Sequence, residues 1–105
     1  MKGPFDAVAC GYAAVDFIAA VPGIPEPDAK MEIDSLEIQG GGPAATAAVT
    51  MSRLGLRTAF AGKVGDDVAG GMILRSLESE GVDVSGVIVE NGAMSQISFV
   101  ARKSA

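Results

Sequence analysis

Three consecutive glycines followed by a proline constrain this chain more than any other feature. Gly40, Gly41 and Gly42 precede Pro43 and an alanine-rich stretch that ends at Gly55. Glycines lack a Cβ atom, so a ligand can approach their backbone closely. Proline is favoured at the first position of a helix and glycine just after the last. The sequence therefore predicts a turn that leads into a helix whose free N–H groups face a ligand.

The predicted helix runs from about Pro43 to Leu54, and its small side chains allow it to lie close to a sheet. Thr46 falls in its first turn. Its hydroxyl either bonds a nearby backbone carbonyl or is aimed at the ligand together with the N–H groups of the turn. The residues themselves leave both interpretations open.

The length and the apolar pattern predict one domain without a membrane span. The chain has 105 residues, of which 49% are hydrophobic. No apolar run approaches the roughly 18 residues that a span requires. The start, Met1 to Pro4, carries one positive charge, and Asp6 and Asp16 interrupt the apolar stretch that follows, so no secretory signal is expected. Cys10 is the single cysteine, and we expect it to be buried in a protein of the reducing cytoplasm.

Charge and histidine content exclude several classes of function. The sequence contains no histidine, which rules out catalytic triads and zinc sites that use histidine within these residues. The net charge is −5, and no basic block offsets it. Nucleic acid and anionic membrane surfaces are therefore not expected as partners.

Asp16 is the only charge in a long apolar stretch near the start. Ala7 to Cys10 predicts a buried strand, and Tyr12 to Val21 predicts a second strand or a continuation that bends at Gly11. Asp16 is either a solvated edge residue or a carboxylate that accepts hydrogen bonds from substrate hydroxyls. Because a lone carboxylate is seldom buried without a partner, both interpretations stay open.

A proline-rich loop, residues 22–28, precedes a strand with imperfect alternation from Met31 to Ile38. The alternation slips at Ser35, which predicts a bulge in a half-exposed strand. This strand is either a plain edge strand or part of a flap over the glycine turn.

The second half of the sequence alternates strands and helices. Thr58 to Gly65 predicts a buried strand, and a helix is expected from about Val68 to Glu80, with Ile73, Leu77 and Met72 on its buried face. Capping of this helix is the leading explanation for Asp66 and Asp67, and a metal site there is not favoured. Further strands are expected at Val87 to Val89 and at Ser95 to Ala101. This order predicts an α/β fold with a largely parallel sheet.

Several of these segments together resemble a known family. The run from Gly41 to Val49 with Arg53-Leu54-Gly55, followed by Gly62-Lys63-Val64-Gly65-Asp66-Asp67 and Gly70, is similar to the N-terminal signature of the ribokinase-like (PfkB) sugar kinases. Asp16, five residues after Gly11, and the proline-rich loop before an alternating strand fit the same family. The resemblance covers nearly the whole chain and keeps the order of the motifs.

The resemblance implies a kinase that transfers the γ-phosphoryl of ATP, with Mg²⁺, to a hydroxymethyl group of a sugar or sugar-like substrate. By residue matching, Asp16 would hold substrate hydroxyls, Gly41 and Gly42 would contact the sugar through their backbone, and Ser98 would face the substrate. The strands in residues 12–39 and 95–102 would form a small β lid, which in many members also makes a homodimer contact. No metal ligand is assigned within the chain.

Two departures from the family pattern change these expectations. Thr46 stands where the family usually has an asparagine, so the substrate is expected to differ from common pentoses and hexoses. The family's catalytic aspartate lies in a Gly-Ala-Gly-Asp signature near the C-terminus of a longer chain, and that signature is missing from residues 1–105. We therefore expect the chain to be the N-terminal substrate-binding portion of such a kinase, with no catalytic residue of its own and inactive alone.

Two alternatives remain open from the sequence. One is a nucleoside kinase of the same fold, for which Tyr12 and Phe17 are the aromatic residues available near the site to stack on a base. The other is a non-catalytic binding module for a small molecule, complete at this length. A sharp unfolding transition of the isolated chain would favour the module.

Overall fold

The computed structural model describes residues 4–104, and the expectation about the first residues, Met1 to Gly3, lies outside this range. In chain order the elements are β1 (Ala7–Cys10), β2 (Ala14–Val21), β3 (Ser35–Gly41), α1 (Pro43–Arg53), β4 (Thr58–Ala61), β5 (Lys63–Gly65), α2 (Val68–Ser79), β6 (Ile88–Glu90) and β7 (Gln96–Lys103). Both predicted helices and their bounds are confirmed to within one residue. Their limits depend on local signals, namely Pro43 and Asp67 at the N-termini and glycines after the C-termini.

The strands of the described residues form three small sheets. β1 pairs with β4, and β5 pairs with β6, both in parallel. The third sheet has the order β3-β2-β7, in which β2 runs antiparallel to β3 and parallel to β7. Three of these four strand pairs are parallel, so the predicted α/β fold with mainly parallel pairing is confirmed.

The predicted strand from Met31 to Ile38 has different limits in the structure. β3 begins at Ser35 rather than at Met31, because its pairing with β2 starts at the Ala20 and Ser35 pair. β3 also includes Gly40 and Gly41, so only Gly42 remains as a turn before α1.

The predicted strand from Thr58 to Gly65 is divided at Gly62 into β4 and β5. A Cβ atom at Gly62 would lie 2.5 Å from the carbonyl oxygen of Gly11 and 2.8 Å from the Phe60 ring. The chain therefore passes too closely to other groups here for any residue but glycine.

The core lies between the two helices and the strands β1 and β4. Phe60 on β4 is fully buried, and α1 contributes Ala48 while α2 contributes Ile73 and Leu77. Met72 is partly buried and packs against this cluster. The predicted buried face of α2 is thus confirmed. Within residues 4–104, no helix has both the length and the apolar character that crossing a membrane requires.

The prediction that Cys10 is buried is wrong. Cys10 is exposed, whereas its neighbour Ala9 belongs to the core. Successive side chains of a strand point to opposite faces of the sheet, so an apolar run does not bury all of its members.

The two aspartates before α2 have different partners. Asp67 is the N-cap of α2, and its carboxylate accepts a hydrogen bond from the Gly70 N–H at 2.8 Å. This confirms the predicted cap for Asp67. For Asp66 the prediction is wrong, because Asp66 is one residue too early and accepts from the N–H of Gly92 at 3.0 Å.

Candidate functional site

Three polar residues form a row across the sheet β3-β2-β7. Asp16 on β2 is the register partner of Gln39 on β3 and also of Ser98 on β7. Residues in register on neighbouring strands have their side chains on the same face of the sheet. Asp16 and Ser98 are half-buried and Gln39 is exposed. The row therefore presents a carboxylate, an amide and a hydroxyl on one face.

The Asp16 carboxylate has no protein partner among the described residues. None of the side-chain hydrogen bonds or ion pairs between residues 4 and 104 involves it. A half-buried carboxylate without a donor is unfavourable unless water or a ligand supplies one. Asp16 is therefore available to bind donor groups of a ligand.

The glycine backbone lies directly against Asp16. A Cβ atom at Gly41 would be 2.6 Å from Oδ2 of Asp16, which is closer than real Cβ contacts come. Any side chain at position 41 would displace the carboxylate. The backbone of Gly41 and the carboxylate of Asp16 thus belong to one surface.

Gly42 occupies the N-cap position of α1 with φ 92°, a left-handed conformation that favours glycine. A Cβ atom there would be 2.7 Å from the carbonyl oxygen of Tyr12. No side chain caps the helix, and the first backbone bond is donated by the Thr46 N–H to the Gly42 carbonyl at 2.9 Å. The N–H groups of Ala44 and Ala45, in the first turn of the helix, therefore remain as donors.

Thr46 lies in a different depression from the polar row. It is exposed and lines a groove of about 270 Å³ between α1 and α2. The groove also contains Gly41, but the described residues that line it do not include Asp16 or Ser98. The structure thus brings Asp16, Ser98 and Gly41 together, with Gly42 next in the chain as the N-cap of α1. Thr46 lines the groove between the two helices.

A second cleft of about 300 Å³ begins next to the row. Tyr12 and Gly65 line it together with Gln96, which pairs with Ala14 on β2 and shares a face with Asp16. Tyr12 follows the carboxyl end of β1, and Gly65 ends β5. In open α/β sheets, ligands bind beyond the carboxyl ends of the strands, which is where this cleft lies.

Sequence reasoning missed Gln39 and Gln96 as members of this face. Both appear in the sequence only as polar residues of half-exposed strands. The Gln39 amide N–H₂ donates to the Glu37 carboxylate at 3.0 Å, which leaves its carbonyl oxygen free to accept. Their proximity to Asp16 follows from strand pairing, and a single sequence carries no signal for that pairing.

The position of Asp16 disfavours a phosphate at the N-terminus of α1. Within residues 4–104, no group of three or more His, Cys, Asp or Glu is placed to hold a metal ion. Beside the N-terminus of α1 lies the negative Asp16, and a phosphate there would be repelled by it. The geometry suits a neutral polyhydroxyl ligand better than a phosphate.

One known protein family matches nearly the whole chain. The profile of the pfkB family carbohydrate kinases matches residues 5–105. The chain belongs to the pfkB carbohydrate kinase family. The resemblance inferred from the glycine motifs is thereby confirmed.

Individual pfkB relatives cover the same segment. The probable fructokinase-4 of Arabidopsis thaliana is 37% identical over 97 residues, which are 92% of this chain and 28% of that protein. A nucleoside kinase of Methanothermobacter thermautotrophicus is 35% identical over 99 residues, covering 94% of this chain and 32% of that protein. This chain therefore spans about a third of the length of these relatives.

Solved structures confirm the ribokinase-like fold. A putative ribokinase from Agrobacterium tumefaciens superimposes with a TM-score of 0.80 and 33% identity, over 94% of this chain and 32% of that one. The Arabidopsis thaliana ribokinase complexed with ribose and ATP gives a TM-score of 0.84 at 24% identity, over 90% of this chain and 31% of that one. At 24% identity, the similarity to the second structure shows a shared fold alone.

Proposed function

We propose that this chain is the substrate-binding portion of a kinase that phosphorylates a hydroxymethyl group of a sugar or sugar-like molecule. The observation that supports it is the unpartnered Asp16 carboxylate in one row with Gln39 and Ser98, directly beside the Gly41 backbone. A sugar presents adjacent hydroxyls that both donate and accept hydrogen bonds. The row offers acceptors and donors at the spacing of neighbouring strands, about 4.8 Å.

Each group has a distinct role in this proposal. The Asp16 carboxylate accepts hydrogen bonds from two sugar hydroxyls, and these are stronger than neutral bonds because the acceptor is charged. Backbone N–H groups at the start of α1 donate to hydroxyl oxygens. The Ser98 hydroxyl donates or accepts as the ligand requires. Thr46 would contact only a substrate that extends into the groove between α1 and α2.

The nucleotide and the catalytic residue belong to the proposal on the basis of family membership. When bound, Mg²⁺-ATP supplies the γ-phosphoryl group that the sugar hydroxyl receives. The described residues contribute orientation and exclusion of water, because phosphoryl transfer depends on positioning of the acceptor. We assign the catalytic aspartate and the phosphate site to a part of the kinase outside residues 1–105. A cytoplasmic location is part of the same proposal, since ATP is used there.

We also propose a homodimer contact through the sheet β3-β2-β7. Its outer strands β3 and β7 are edges, and apolar side chains on one face are exposed, namely Leu36 at 47%, Ile38 at 51% and Phe99 at 72%. Exposed edges and apolar patches favour association with another chain. Sedimentation velocity should show a dimer that Phe99→Ser weakens; an unaltered monomer in both would contradict this contact.

Calorimetric titration with matched ligand panels tests the substrate class. The full-length gene product is titrated with two panels of ligands. One panel contains ketoses and aldoses, and the other contains nucleosides. We expect a sugar to bind and Asp16→Asn to abolish or weaken that binding. Binding of adenosine or inosine with no binding of any sugar would contradict the proposal.

A nucleoside is the second candidate substrate, and the position of Tyr12 favours it. The Tyr12 ring is 50% exposed and lines the cleft next to Gln96. An aromatic face of this kind can stack on a base. Phe17 does not offer such a face, because it packs against the core. Tyr12→Leu should weaken nucleoside binding and leave the binding of a simple sugar unchanged.

A further inference from the structure

The strand that carries Ser98 is held in place with little help from its own side chains. On β7, Ile97 is 41% exposed, Phe99 is 72% exposed and Val100 is 43% exposed. Burial of one face normally fixes the register of a strand, and strands with weak burial are prone to slip. A slip of one residue would turn Ser98 to the face opposite Asp16. Some other contact must therefore determine the register of β7.

One carboxylate holds the residue directly before β7. Ser95 is only 5% exposed, and its backbone N–H donates to Oδ2 of Asp67 at 2.8 Å. Its hydroxyl donates to Oδ1 of the same carboxylate at 2.6 Å. The hydroxyl bond, followed by the two backbone N–H bonds from Ser95 and Gly70, lowers the pKa of Asp67 below its usual range. Asp67 therefore stays ionised and binds both donors of Ser95 at neutral pH.

The contact between Asp67 and Ser95, called the Asp67 anchor below, is itself hydrogen-bonded to two other elements. Asp67 caps α2 through the Gly70 N–H, and the Ser95 hydroxyl oxygen accepts from the Gly65 N–H at 2.8 Å. A Cβ atom on Gly65 would collide with the Ala93 carbonyl oxygen, and one on Gly70 with the Gly65 carbonyl oxygen. Three segments therefore pack closely against one another, namely the end of β5, the start of α2 and the segment before β7.

We propose that Asp67 is a positioning residue that sets the register of β7 on β2 and thereby keeps Ser98 beside Asp16. Ser98 follows the anchored Ser95 by three residues, and the register runs without interruption from Ala14 and Gln96 to Val21 and Lys103. The consequence for substrate binding rests on the proposed sugar site, whereas the effect on register does not.

The far end of β7 offers a matched control. The Ser104 hydroxyl donates to Oδ2 of Asp34 at 2.5 Å, and this pair is exposed. Exposed pairs stabilise little. Asp34→Ala therefore removes a Ser–Asp hydrogen bond at the other end of the same strand and leaves the bonds of the Asp67 anchor in place.

Nuclear magnetic resonance on the gene-encoded protein tests the register directly. In Asp67→Asn the amide N–H₂ replaces one of the two acceptor oxygens, so in either orientation Ser95 loses one of its two bonds to residue 67. We expect amide exchange of residues 96–103 to accelerate at least tenfold and the cross-strand contacts between Asp16 and Ser98 to disappear, while α2 remains protected. Asp34→Ala should keep those contacts. If Asp67→Asn also kept them, the proposal would be overturned. Should Asp67→Asn not fold, Ser95→Ala removes only the hydroxyl bonds and should show the same change to a smaller degree.

A double-mutant cycle on sugar affinity tests the link to the site. Asp67→Asn should weaken sugar binding about tenfold in the wild-type background and by much less in a Ser98→Ala background, because it acts through Ser98. Equal losses in both backgrounds would contradict a positioning role. If the unaltered protein bound no sugar, the proposed function would fail, and the register measurement would still decide the role of Asp67.

Discussion

At the scale of single residues, Asp16 is the group whose chemistry decides the site. Between residues 4 and 104, no lysine or arginine forms an ion pair with it, unlike Asp6, Glu80 and Glu90. Asp6, Glu80 and Glu90 bind basic side chains, and Asp66 and Asp67 accept from backbone N–H groups. Asp16 instead lies against Gly41 with its oxygens free. This difference supports the proposal that Asp16 binds a ligand.

Replacing Asp16 with asparagine should weaken sugar binding by about tenfold to a hundredfold. The change keeps the shape and removes the charge, and a hydrogen bond to a charged group contributes about 1.5–3 kcal/mol. Calorimetric titration measures the effect. Glu37→Gln on β3 is the control for charge alone, since Glu37 is exposed on the same sheet. An equal loss for both variants would show a general electrostatic effect in place of a contact.

Gln39 provides a second test at the same scale. Gln39→Ala should reduce sugar affinity by roughly fivefold, since a neutral hydrogen bond contributes about 1 kcal/mol. Stability should hardly change because the side chain is exposed. Glu37→Ala removes the bond between Glu37 and Gln39 but leaves the Gln39 amide in place. If Glu37→Ala reproduced the whole loss, Gln39 would have no direct contact with the ligand.

At the scale of elements, α1 lies between two glycines with nearly the same φ angle and different surroundings. Gly42 has φ 92° before the helix, and Gly55 has φ 95° after it. Nothing lies within 4 Å of a Cβ atom built on Gly55, whereas on Gly42 that atom meets Tyr12 and Ala13. The first glycine is required by conformation and by close packing, and the second by conformation alone.

This pair yields a prediction about stability. Gly55→Ala should lower the free energy of unfolding by about 1–2 kcal/mol, the penalty for a left-handed alanine. Gly42→Ala should cost clearly more, because the chain before β2 must also move away from the new methyl group. Urea denaturation of both variants measures the difference. Equal costs would mean that the junction between β3 and α1 is looser than the structure indicates.

At the scale of the whole molecule, carboxylates join segments that are distant in the chain. Asp6 pairs with Arg57, and Glu80 pairs with Arg53 across the two helices. Hydrogen bonds from Arg57 lower the pKa of Asp6, and those from Arg53 lower the pKa of Glu80. Hydrogen bonds from Ser95 likewise lower the pKa of Asp67. The three carboxylates connect the N-terminal strand, both helices and β7.

These lowered pKa values predict that stability falls in acid. A group whose pKa is lower in the folded state stabilises the fold above its unfolded pKa, near 3.8 for Asp and 4.5 for Glu. That contribution is lost as the pH falls from there through the folded pKa. Urea denaturation at pH 7 and pH 3 should show lower stability at pH 3. In Asp67→Asn the loss of stability between pH 7 and pH 3 should be smaller. A pH dependence identical to that of the unaltered protein would contradict the role of the Asp67 carboxylate.

The sequence by itself determined the features that depend on neighbouring residues. Pro43, Asp67 and the glycines after each helix mark the helix ends, since capping acts within one turn. The glycine motifs also identified the family. The resemblance to that family assigned a binding role to Asp16, Gly41, Gly42, Thr46 and Ser98, and this role stays a prediction. Alternation of strands and helices was enough for the fold class.

Only the tertiary structure decided which strands pair and which residues share a face. It aligned Gln39 and Ser98 with Asp16, exposed Cys10, divided the strand at Gly62 and gave Asp66 and Asp67 different partners. Pairing joins residues that are distant in sequence, such as Asp16 and Ser98, and a shift of one position reverses every side chain. That choice depends on contacts such as Asp67 with Ser95, which local sequence does not encode.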